Sequence, residues 1–395
     1  MKISLFVGNI HLGTFGNLIS YLAKGLLKLG WQVEVVHTDS GAAQQNFKFP
    51  NGVLLYNLKT PKAIFSLLPI LSYLRRRRPN VLIAFTPAFN VIAIIARILS
   101  QWKGLVVVTE HAIMSVSCKT EFRNQFLLSK APFFIRHFYQ WADGVVSVSK
   151  DVQQDLVDNI GLCKNGLLMT SIPNPVDVDF VIKKAALKAE HQWFTKKDLP
   201  IIINVGRLSI QKNQLLLLEA FARVIKKVKA RLVIIGEGPE RNNIEQKIRE
   251  LGIEERVSLI GFDPNPFCYM ASADLFVLSS TEEGFGLVLV EAMACRCPVV
   301  TTGCPGGPRE ILQSGKYGVI VPSENVKALA TAILRGLTDV KSLEKYREPA
   351  FKRALEYQPQ YIAKKWEQYI LTLLRNKGFY QISLVAAFKR VFGPP

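Results

Sequence analysis

Short runs of β-branched and other apolar residues alternate along this chain with stretches of helical periodicity. Five runs lie in the first half, at residues 3–7, 32–37, 81–85, 105–109 and 145–149. Six more follow, at residues 201–205, 231–236, 257–261, 275–278, 298–302 and 318–321. Apolar runs of this length, separated by amphipathic helices, are typical of parallel strands that are buried on both faces. The pattern therefore predicts an α/β protein with two doubly wound parallel sheets.

A break in the pattern separates the two sets of strands. The segment SIPNPVDVDF, at residues 171–180, contains two prolines, which stop regular structure. We expect a first Rossmann-like domain over residues 1–175 and a second over residues 176–357, with a cleft between them. The largely helical residues 358–395 should pack back on the first domain. Their last part, FYQISLVAAFKRVFGPP, is either a docking helix or one that lies at a membrane interface.

Ligands of open parallel sheets bind beyond the carboxyl ends of the strands. In this chain the polar and glycine-rich segments follow the predicted strands at those ends: GNIHLGTFGN, EHA, GRLSIQKN, EGPE, SSTEEGFG and GCPGGPREIL. The predicted topology places all of these segments on the cleft side of the sheets. We therefore expect one ligand site between the two domains.

The segment GRLSIQKNQ carries Arg207 and Lys212 between a strand and a helix. The N-terminus of a helix offers free N–H groups and a partial positive charge, and Arg and Lys add charge-assisted hydrogen bonds to phosphate oxygens. A solvated charged loop is the alternative. A second anion-binding turn in the same domain favours the phosphate interpretation.

That second turn is EEGFG, in which Gly284 and Gly286 let the backbone approach a ligand closely. Glu291 lies about 7 Å further along the helix that starts here, at roughly 1.5 Å per residue. Glu283 and Glu291 can therefore accept hydrogen bonds from hydroxyl groups at two parts of one ligand, such as a sugar and a ribose. The alternative is that Glu291 pairs with a cation of its own domain, since a buried unpaired carboxylate is costly. A retaining glycosidase also uses two carboxylates, but the nearby glycines and cations favour a polyphosphate ligand.

His111 follows the run at residues 105–109 and is expected to face the cleft, although a lone histidine is often structural. GNIHLGTFGN lacks the GxGxxG pattern of a dinucleotide site but suits a phosphate or acceptor loop. The sequence offers no convincing DxD or HxxH metal motif, because DVD at residues 177–179 lies at the domain junction, where a linker role is favoured. We therefore expect no metal, and Arg207, Lys212 and the helix dipoles would neutralise a leaving diphosphate.

The formal net charge is +19, and residues 1–142 hold 16 Lys or Arg against 4 Asp or Glu. The densest run is RRRR at residues 75–78. These charges form either a solvated basic face or a surface that attracts anionic lipid or a polyphosphate ligand. No zinc spacing, helix-turn-helix or RNP-like signature accompanies them, which argues against nucleic acid.

The cysteine pattern points to a reducing, cytoplasmic compartment. Six cysteines are scattered without a CxxC pair, as expected for reduced thiols. The first residues, MKISLFVGNI, predict a strand rather than a signal peptide. No apolar segment approaches the roughly 18 residues that a membrane span needs. We therefore expect a protein that touches a membrane without crossing it.

The segment EEGFGLVLVEAMACRCPVVTT resembles the E-x7-E signature of retaining GT-B glycosyltransferases of the family 4 type. NVGRLSIQKNQ, IIGEGPE, SADLFVLSS, GCPGGPREIL and GKYGVIVP occur in the order of that family, so the resemblance is dense from about residue 201 to 322. It is thinner before residue 200, where TEHA, ADGVVSVSK and IPNPVD are similar. The resemblance implies the GT-B fold and metal-independent transfer of a sugar from a nucleotide diphosphate sugar, with retention of the anomeric configuration.

The resemblance also implies roles for single residues of the second domain. Arg207 and Lys212 would bind the diphosphate, and Glu283 would contact hydroxyl groups of the donor sugar. The backbone of Phe285 and Gly286 would lie near the sugar and the phosphates.

Two further roles concern the ribose and the first domain. Glu291 would hold the ribose hydroxyls, and His111 would contact the donor sugar from the first domain. The front loop of the family often reads GG-x-E, where this chain has GTFG. Gly13 is retained as a donor-binding position, whereas Thr14 and Gly16 replace the second glycine and the acid.

The segment CPGGPREIL is most similar to members that use UDP-sugars to build lipid-linked surface polysaccharides at the inner face of the membrane. The resemblance implies transfer of a hexose or N-acetylhexosamine, from a UDP-sugar in preference to a GDP-sugar, to a lipid-linked or glycan acceptor. The nucleotide sugar would be a co-substrate, with no cofactor. The basic first domain fits a cytoplasmic enzyme bound to an anionic membrane surface. Two alternatives keep the fold: a sugar-nucleotide epimerase or phosphorylase, and an inactive membrane-associated relative.

Overall fold

The computed structural model describes residues 1–8, 10, 14–38, 49–123, 125–162 and 166–392, and it contains two parallel sheets. Seven strands form the first sheet, in the order β3-β2-β1-β4-β5-β6-β7. They are β1 (Lys2–Val7), β2 (Gln32–His37), β3 (Leu54–Asn57), β4 (Val81–Phe85), β5 (Leu105–Glu110), β6 (Gly144–Ser147) and β7 (Leu168–Ser171). The five inner strands coincide with the five apolar runs of the first half. The edge strands β3 and β7 escaped that pattern, because their side chains are exposed or half-exposed.

Six strands form the second sheet, in the order β10-β9-β8-β11-β12-β13. They are β8 (Ile201–Val205), β9 (Arg231–Ile235), β10 (Val257–Gly261), β11 (Leu275–Leu278), β12 (Val299–Thr302) and β13 (Val319–Val321). Every paired strand in both sheets is parallel, which confirms the predicted fold class. The strand order reverses between β1 and β4 and between β8 and β11. Doubly wound sheets bind ligands at such reversals.

Helices connect the strands and cover both sheets. They are α1 (Thr14–Lys28), α2 (Leu67–Arg77), α3 (Pro87–Ser100), α4 (Met114–Ser117), α5 (Phe126–Ser129), α6 (Ala131–Phe138), α7 (Lys150–Asp158), α8 (Val178–Ala185), α9 (Gln192–Thr195), α10 (Gln214–Val224), α11 (Arg241–Leu251), α12 (Phe267–Ser272), α13 (Leu287–Ala294), α14 (Pro308–Ile311), α15 (Val326–Thr338), α16 (Val340–Leu355) and α17 (Pro359–Phe392). Short 3-10 turns occupy Ala63–Ser66, Tyr139–Trp141, Ile210–Lys212, Glu254–Arg256 and Gln313–Gly315. Within the described part of the chain, no helix is both long and apolar enough to cross a membrane.

Each sheet is buried on both faces. Leu5 and Phe6 are successive residues of β1, both fully buried, and they belong to different apolar clusters. Ile202 and Ile203 of β8 are divided in the same way. Because successive side chains of a strand point to opposite faces, both layers of helices are needed to cover each sheet.

The segments that join the two domains lie side by side. Val176 N donates a hydrogen bond of 2.9 Å to the carbonyl of Tyr357, which precedes the last helix. Asp177, the first acid of the DVD segment, caps α8 by accepting a hydrogen bond of 3.3 Å from Phe180 N, and it forms an ion pair with Lys24 of α1. The contacts of Asp177 are therefore structural.

The last helix, α17, packs against α1 of the first domain. Gly25 of α1 leaves no room for a side chain there, since a Cβ would lie 2.2 Å from the carbonyl oxygen of Pro359. The Tyr369 hydroxyl donates a hydrogen bond of 2.8 Å to the carbonyl of Leu168 on β7. The backbone of residues 377–392 continues this helix. The C-terminal segment thus returns to the first domain after the second sheet is complete.

Candidate active site

The glycine-rich turn EEGFG lies at the carboxyl end of β11, beside the reversal of the second sheet. Gly286 has a φ of +93° and precedes α13, a left-handed conformation that glycine adopts at little cost. The GCPGG loop after β12 packs directly on this turn. Glu283 N donates a hydrogen bond of 3.0 Å to the carbonyl of Pro305, and a Cβ on Gly306 would lie 1.5 Å from the carbonyl oxygen of Glu283. The two loops therefore form one closely packed edge of the cleft.

Lys212 and Glu283 meet at this edge. Lys212 Nζ lies 2.5 Å from Glu283 Oε1, which also accepts a hydrogen bond of 2.7 Å from Ser280 Oγ. Both side chains are largely buried, with exposed fractions of 17% and 5%. The residues predicted to bind the diphosphate and the sugar therefore contact each other. Since an ammonium group has three N–H donors, Lys212 can keep this pair and still donate to a phosphate oxygen.

Arg207 reaches across the cleft to the first domain. Its Nη1 lies 2.9 Å from Oε1 of Glu121, and its side chain is 59% exposed. Nothing in the sequence pattern marked Glu121, which lies between α4 and α5 and follows no strand. A guanidinium group carries five N–H donors, so one ion pair leaves others for a phosphate.

The hydrogen bonds around His111 determine which ring nitrogen carries the proton. His111 Nε2 lies 2.9 Å from Thr109 Oγ1, and this hydroxyl donates its own hydrogen to the carbonyl of Ala84 at 2.9 Å. Because a threonine hydroxyl has one hydrogen, Nε2–H must be the donor, and Nδ1 carries the free lone pair. Burial lowers the pKa of His111 to about 3, so its ring is neutral near pH 7.

The free nitrogen of His111 is shielded. Nδ1 is buried and has no hydrogen-bond partner among the residues that the structure describes. The backbone of Gly284 lies against the same residue, since a Cβ on Gly284 would be 1.8 Å from the His111 carbonyl oxygen. His111 is therefore a neutral side chain whose free acceptor, Nδ1, is covered in this structure. It is not suited to act as a cation.

Buried polar contacts hold the two domains together near this histidine. Ser149 Oγ donates a hydrogen bond of 2.8 Å to the carbonyl of Gly284. Glu282, which is only 1% exposed, accepts hydrogen bonds of 2.9 Å from Ser117 and 3.1 Å from Thr120, both in the first domain. Burial raises the pKa of Glu282, and the two hydroxyl groups partly oppose that shift. The sequence reasoning missed Glu282, although the doubled acid in EEGFG was a signal.

Glu291 lies on α13, opposite α1 of the first domain. Burial, and then the nearby charge of Glu291, raises the pKa of Tyr21 on α1, which places the two side chains close together. Burial also raises the pKa of Glu291 itself to about 7. Its carboxylate has no hydrogen-bond or ion-pair partner in the described ranges of the chain. The alternative in which a cation of its own domain neutralises Glu291 therefore finds no such cation among those residues.

The other predicted positions differ in what they can contribute. Phe285 is 2% exposed, and its ring packs edge-to-face on that of Tyr357 at 5.5 Å, so only its backbone can meet a ligand. Gly13 lies outside the described residues. Within the described ranges, no group of three or more His, Cys, Asp or Glu side chains could hold a metal ion.

Comparison with known proteins agrees with the fold and the signature. Residues 187–353 match the family described as glycosyl transferases group 1, and residues 16–180 match the one described as glycosyltransferase family 4. A relative from Campylobacter jejuni is N-acetylgalactosamine-N,N'-diacetylbacillosaminyl-diphospho-undecaprenol 4-alpha-N-acetylgalactosaminyltransferase. It is 33% identical over 282 residues, which cover 71% of this chain and 73% of that protein.

Solved structures share the fold at lower identity. Sucrose-phosphate synthase from Thermosynechococcus elongatus has a TM-score of 0.77 and 20% identity, and the match covers 95% of this chain and 99% of that one. HepE from Anabaena, in complex with UDP and glucose, has a TM-score of 0.74 and 22% identity, over 94% of this chain and 99% of that one. At these identities the likeness concerns the arrangement of two parallel-sheet domains around a cleft.

Proposed function

The chain belongs to the group 1 glycosyltransferases of the family 4 type and has the GT-B fold, and we propose that it transfers a hexose or N-acetylhexosamine from a nucleotide diphosphate sugar with retention of configuration. The observation that carries this proposal is the grouping at the carboxyl edge of the second sheet. Lys212, Glu283 and Arg207 lie there, and the carboxylate of Glu291, which has no partner among the described residues, lies on the helix that starts at the same turn. Two cations and a helix N-terminus suit a diphosphate.

The proposed roles follow from these contacts. Lys212 and Arg207 donate to the diphosphate oxygens and offset the negative charge that grows as the sugar leaves. Glu283, fixed by Lys212 and Ser280, accepts hydrogen bonds from hydroxyl groups of the donor sugar. Glu291 accepts hydrogen bonds from the ribose hydroxyls. These cations and the N-terminus of α13 supply the positive charge, so we propose that the reaction needs no metal ion.

The first domain supplies His111 and the partners that close the cleft. His111, neutral and with its lone pair on Nδ1, accepts a hydrogen bond from the donor sugar when the cleft opens to admit it. Glu121 leaves Arg207 or shares it with the diphosphate. Closure over the donor would then exclude water, which otherwise competes with the acceptor.

We propose UDP as the nucleotide and a lipid-linked glycan as the acceptor. HepE from Anabaena, which shares this fold, binds UDP and glucose. The Campylobacter jejuni relative is named for a substrate carried on undecaprenyl diphosphate. A lipid-linked acceptor and the net charge of +19 also support a peripheral position on the anionic inner face of the membrane.

A screen of nucleotide sugars against a membrane lipid extract, read by mass spectrometry, tests the assignment. We expect a mass increase of one hexose or N-acetylhexosamine on a lipid-linked glycan, with a UDP-sugar as donor and no added metal. Nuclear magnetic resonance of the product should show the anomeric configuration of the donor. Donor turnover without any acceptor would instead favour an epimerase or a phosphorylase. No binding of UDP or GDP at millimolar concentration would contradict the proposal.

Variants of the ion pair at the cleft edge provide the second test. Lys212→Ala and Glu283→Ala should abolish transfer while the protein stays folded. The matched control is Lys247→Ala, because Lys247 forms an ion pair of 2.7 Å with Glu219 on the surface of the same domain. Transfer at the wild-type rate in either cleft variant would refute the assignment of these residues.

A further inference from the structure

A group of exposed apolar side chains lies at one corner of the first domain. Ile64, Phe65 and Leu68 are 65%, 59% and 75% exposed, although all three are large apolar residues. Leu54 and Leu55, on the edge strand β3 that precedes the turn in the sequence, are also exposed. Isolated exposed apolar residues are common, but a contiguous group of this kind marks an interaction surface.

Regular secondary structure and hydrogen bonds hold this corner in place. The 3-10 turn Ala63–Ser66 leads directly into α2. Below it, Thr60 Oγ1 and Ser66 Oγ share a buried hydrogen bond of 3.0 Å. At the surface, Lys59 N donates a hydrogen bond of 2.7 Å to Asn57 Oδ1. These hydrogen bonds hold the backbone that carries the exposed apolar side chains.

The stretch of sequence that contains the corner is basic. Residues 40–109 contain nine Lys or Arg and no Asp or Glu. Lys59 and Lys62, both exposed, shortly precede the apolar side chains in the chain. Along α2, Arg75 lies seven residues after Leu68, two turns further on the same face of the helix. An outward face with apolar side chains at one end and arginine at the other is suited to the interface of an anionic bilayer.

The RRRR run has fewer charges free to attract an anionic surface than its sequence suggests. Arg77 forms an ion pair with Glu34 on β2, and Arg75 donates a hydrogen bond of 3.2 Å to the carbonyl of Leu99. Arg78 ends α2 with a φ of +42°. The ion pair offsets one of the four charges, so the electrostatic attraction of this run is weaker than four free charges would give, and the apolar corner becomes the more specific part of the surface.

The position of the corner connects it to the cleft. Strand β3 is parallel to β2, so the segment after Asn57 lies at the carboxyl edge of the first sheet. That is the edge that bears the candidate site. A lipid-linked glycan held in the bilayer would thus have its head group on the side of the domain where the cleft opens.

We propose that Ile64, Phe65 and Leu68 form a membrane-docking surface that inserts at the head-group level of an anionic bilayer, with Lys59, Lys62 and Arg75 contacting lipid phosphates. The surface rests on the proposed function, since it positions the cleft beside a lipid-linked acceptor. Apolar insertion and charge act together, because neither signal alone gives firm binding to a membrane.

Co-sedimentation with vesicles tests the surface. The triple variant Ile64→Ser, Phe65→Ser and Leu68→Ser should bind vesicles containing phosphatidylglycerol at least about tenfold more weakly than wild type, from the lost apolar burial. The matched control is Phe262→Ser in the second domain, because Phe262 is 58% exposed, almost as much as Phe65. We expect this control to bind like wild type. Equal binding by the triple variant and wild type would overturn the proposal.

The charged part of the surface has its own measurement. Lys59→Gln with Lys62→Gln should weaken binding about fivefold for each charge removed, and the loss should shrink in high salt. In a Phe65→Trp variant, brominated lipids should quench the added fluorescence. Fluorescence that the lipids do not quench would show that the side chain does not insert, which contradicts the proposal.

Two further outcomes separate the alternatives. If the apolar corner instead joins two copies of the chain, the triple variant will lower the mass in sedimentation equilibrium and leave vesicle binding unchanged, which would overturn membrane docking. Transfer to a short water-soluble acceptor should be unaffected in the triple variant. A wild-type protein that binds vesicles but transfers no sugar would refute the proposed function and leave the docking surface standing.

Discussion

Measurements on the Glu291→Gln variant as a function of pH test whether the ionised carboxylate of Glu291 binds the ribose. Burial raises the pKa of Glu291 from 4.5 to about 7, and no described residue pairs with its carboxylate. The side chain is therefore poised near neutrality. Glutamine has nearly the same shape and carries no charge at any pH, so the substitution changes the ionisation and little else.

Without a ligand, the charge on Glu291 costs stability. The folded protein keeps this proton between pH values of about 4.5 and 7, whereas the unfolded chain releases it. Protonated Glu291 therefore leaves the folded state at its full stability below the pKa of the unfolded chain. That stability is lost as the pH rises through the pKa of Glu291 in the folded protein. At about 1.4 kcal/mol for each pKa unit, the rise from 4.5 to about 7 makes the loss at most about 3.5 kcal/mol. Glu291→Gln should therefore match wild type near pH 4.5 and unfold at a higher temperature near pH 8.

With UDP bound, the sign reverses. Ribose hydroxyls donate to the ionised carboxylate, so binding should release a proton near pH 7, and affinity should fall by up to about tenfold per pH unit below it. A hydrogen bond to a charged group contributes roughly 1.5–3 kcal/mol. Glu291→Gln should thus bind UDP roughly tenfold to a hundredfold more weakly near pH 8, with little dependence on pH.

Isothermal titration calorimetry with UDP measures these quantities. Titrations in two buffers with different heats of ionisation give the number of protons released. Glu255→Gln is the control, since Glu255 is exposed on the surface of the same domain. Equal UDP affinity in wild type and Glu291→Gln near pH 8, or a wild-type affinity that is flat with pH, would refute the reasoning.

Three other perturbations probe the contact between the domains. Gly284→Ala should lower kcat strongly while the protein stays folded, because its Cβ would lie 1.8 Å from the His111 carbonyl oxygen and prevent closure; steady-state kinetics with an unchanged rate would contradict this. Glu282→Gln should raise the melting temperature near pH 8, since burial raises the pKa of Glu282 and the stability it contributes is lost as pH rises. Glu121→Gln frees Arg207 from an ion pair whose arginine is 59% exposed and which is worth about 1 kcal/mol, so the Kd for UDP should fall by about fivefold; a weaker affinity in calorimetry would show that Glu121 helps to bind the nucleotide.

Much of the fold could be predicted because the signal is local. Every one of the eleven apolar runs is a strand, since parallel strands buried on both faces must be apolar throughout. The edge strands β3 and β7 were missed because one side of an edge strand faces water, so their residues carry no such constraint.

The candidate site was likewise predictable only where the signal is local. The helix that starts after Gly286 and the strand that ends before Arg207 depend on neighbouring residues, so the sequence already placed these groups at one edge. The pair of Lys212 with Glu283 joins loops that are 71 residues apart. The periodicity of a sequence does not show which distant loops meet in space. Only the tertiary structure brought the two side chains into contact.

The contacts between the domains could not be predicted from the sequence. The hydrogen bonds of Glu282 to Ser117 and Thr120 span 165 and 162 residues, and they depend on how two separately folded sheets face each other. The sequence determined two parallel sheets, their glycine-rich edges and the glutamates of the signature, because short-range spacing and burial dictate them. The tertiary structure decided which carboxylates are paired and which, like Glu291, remain without a partner among the described residues, because burial and pairing are properties of the folded surroundings.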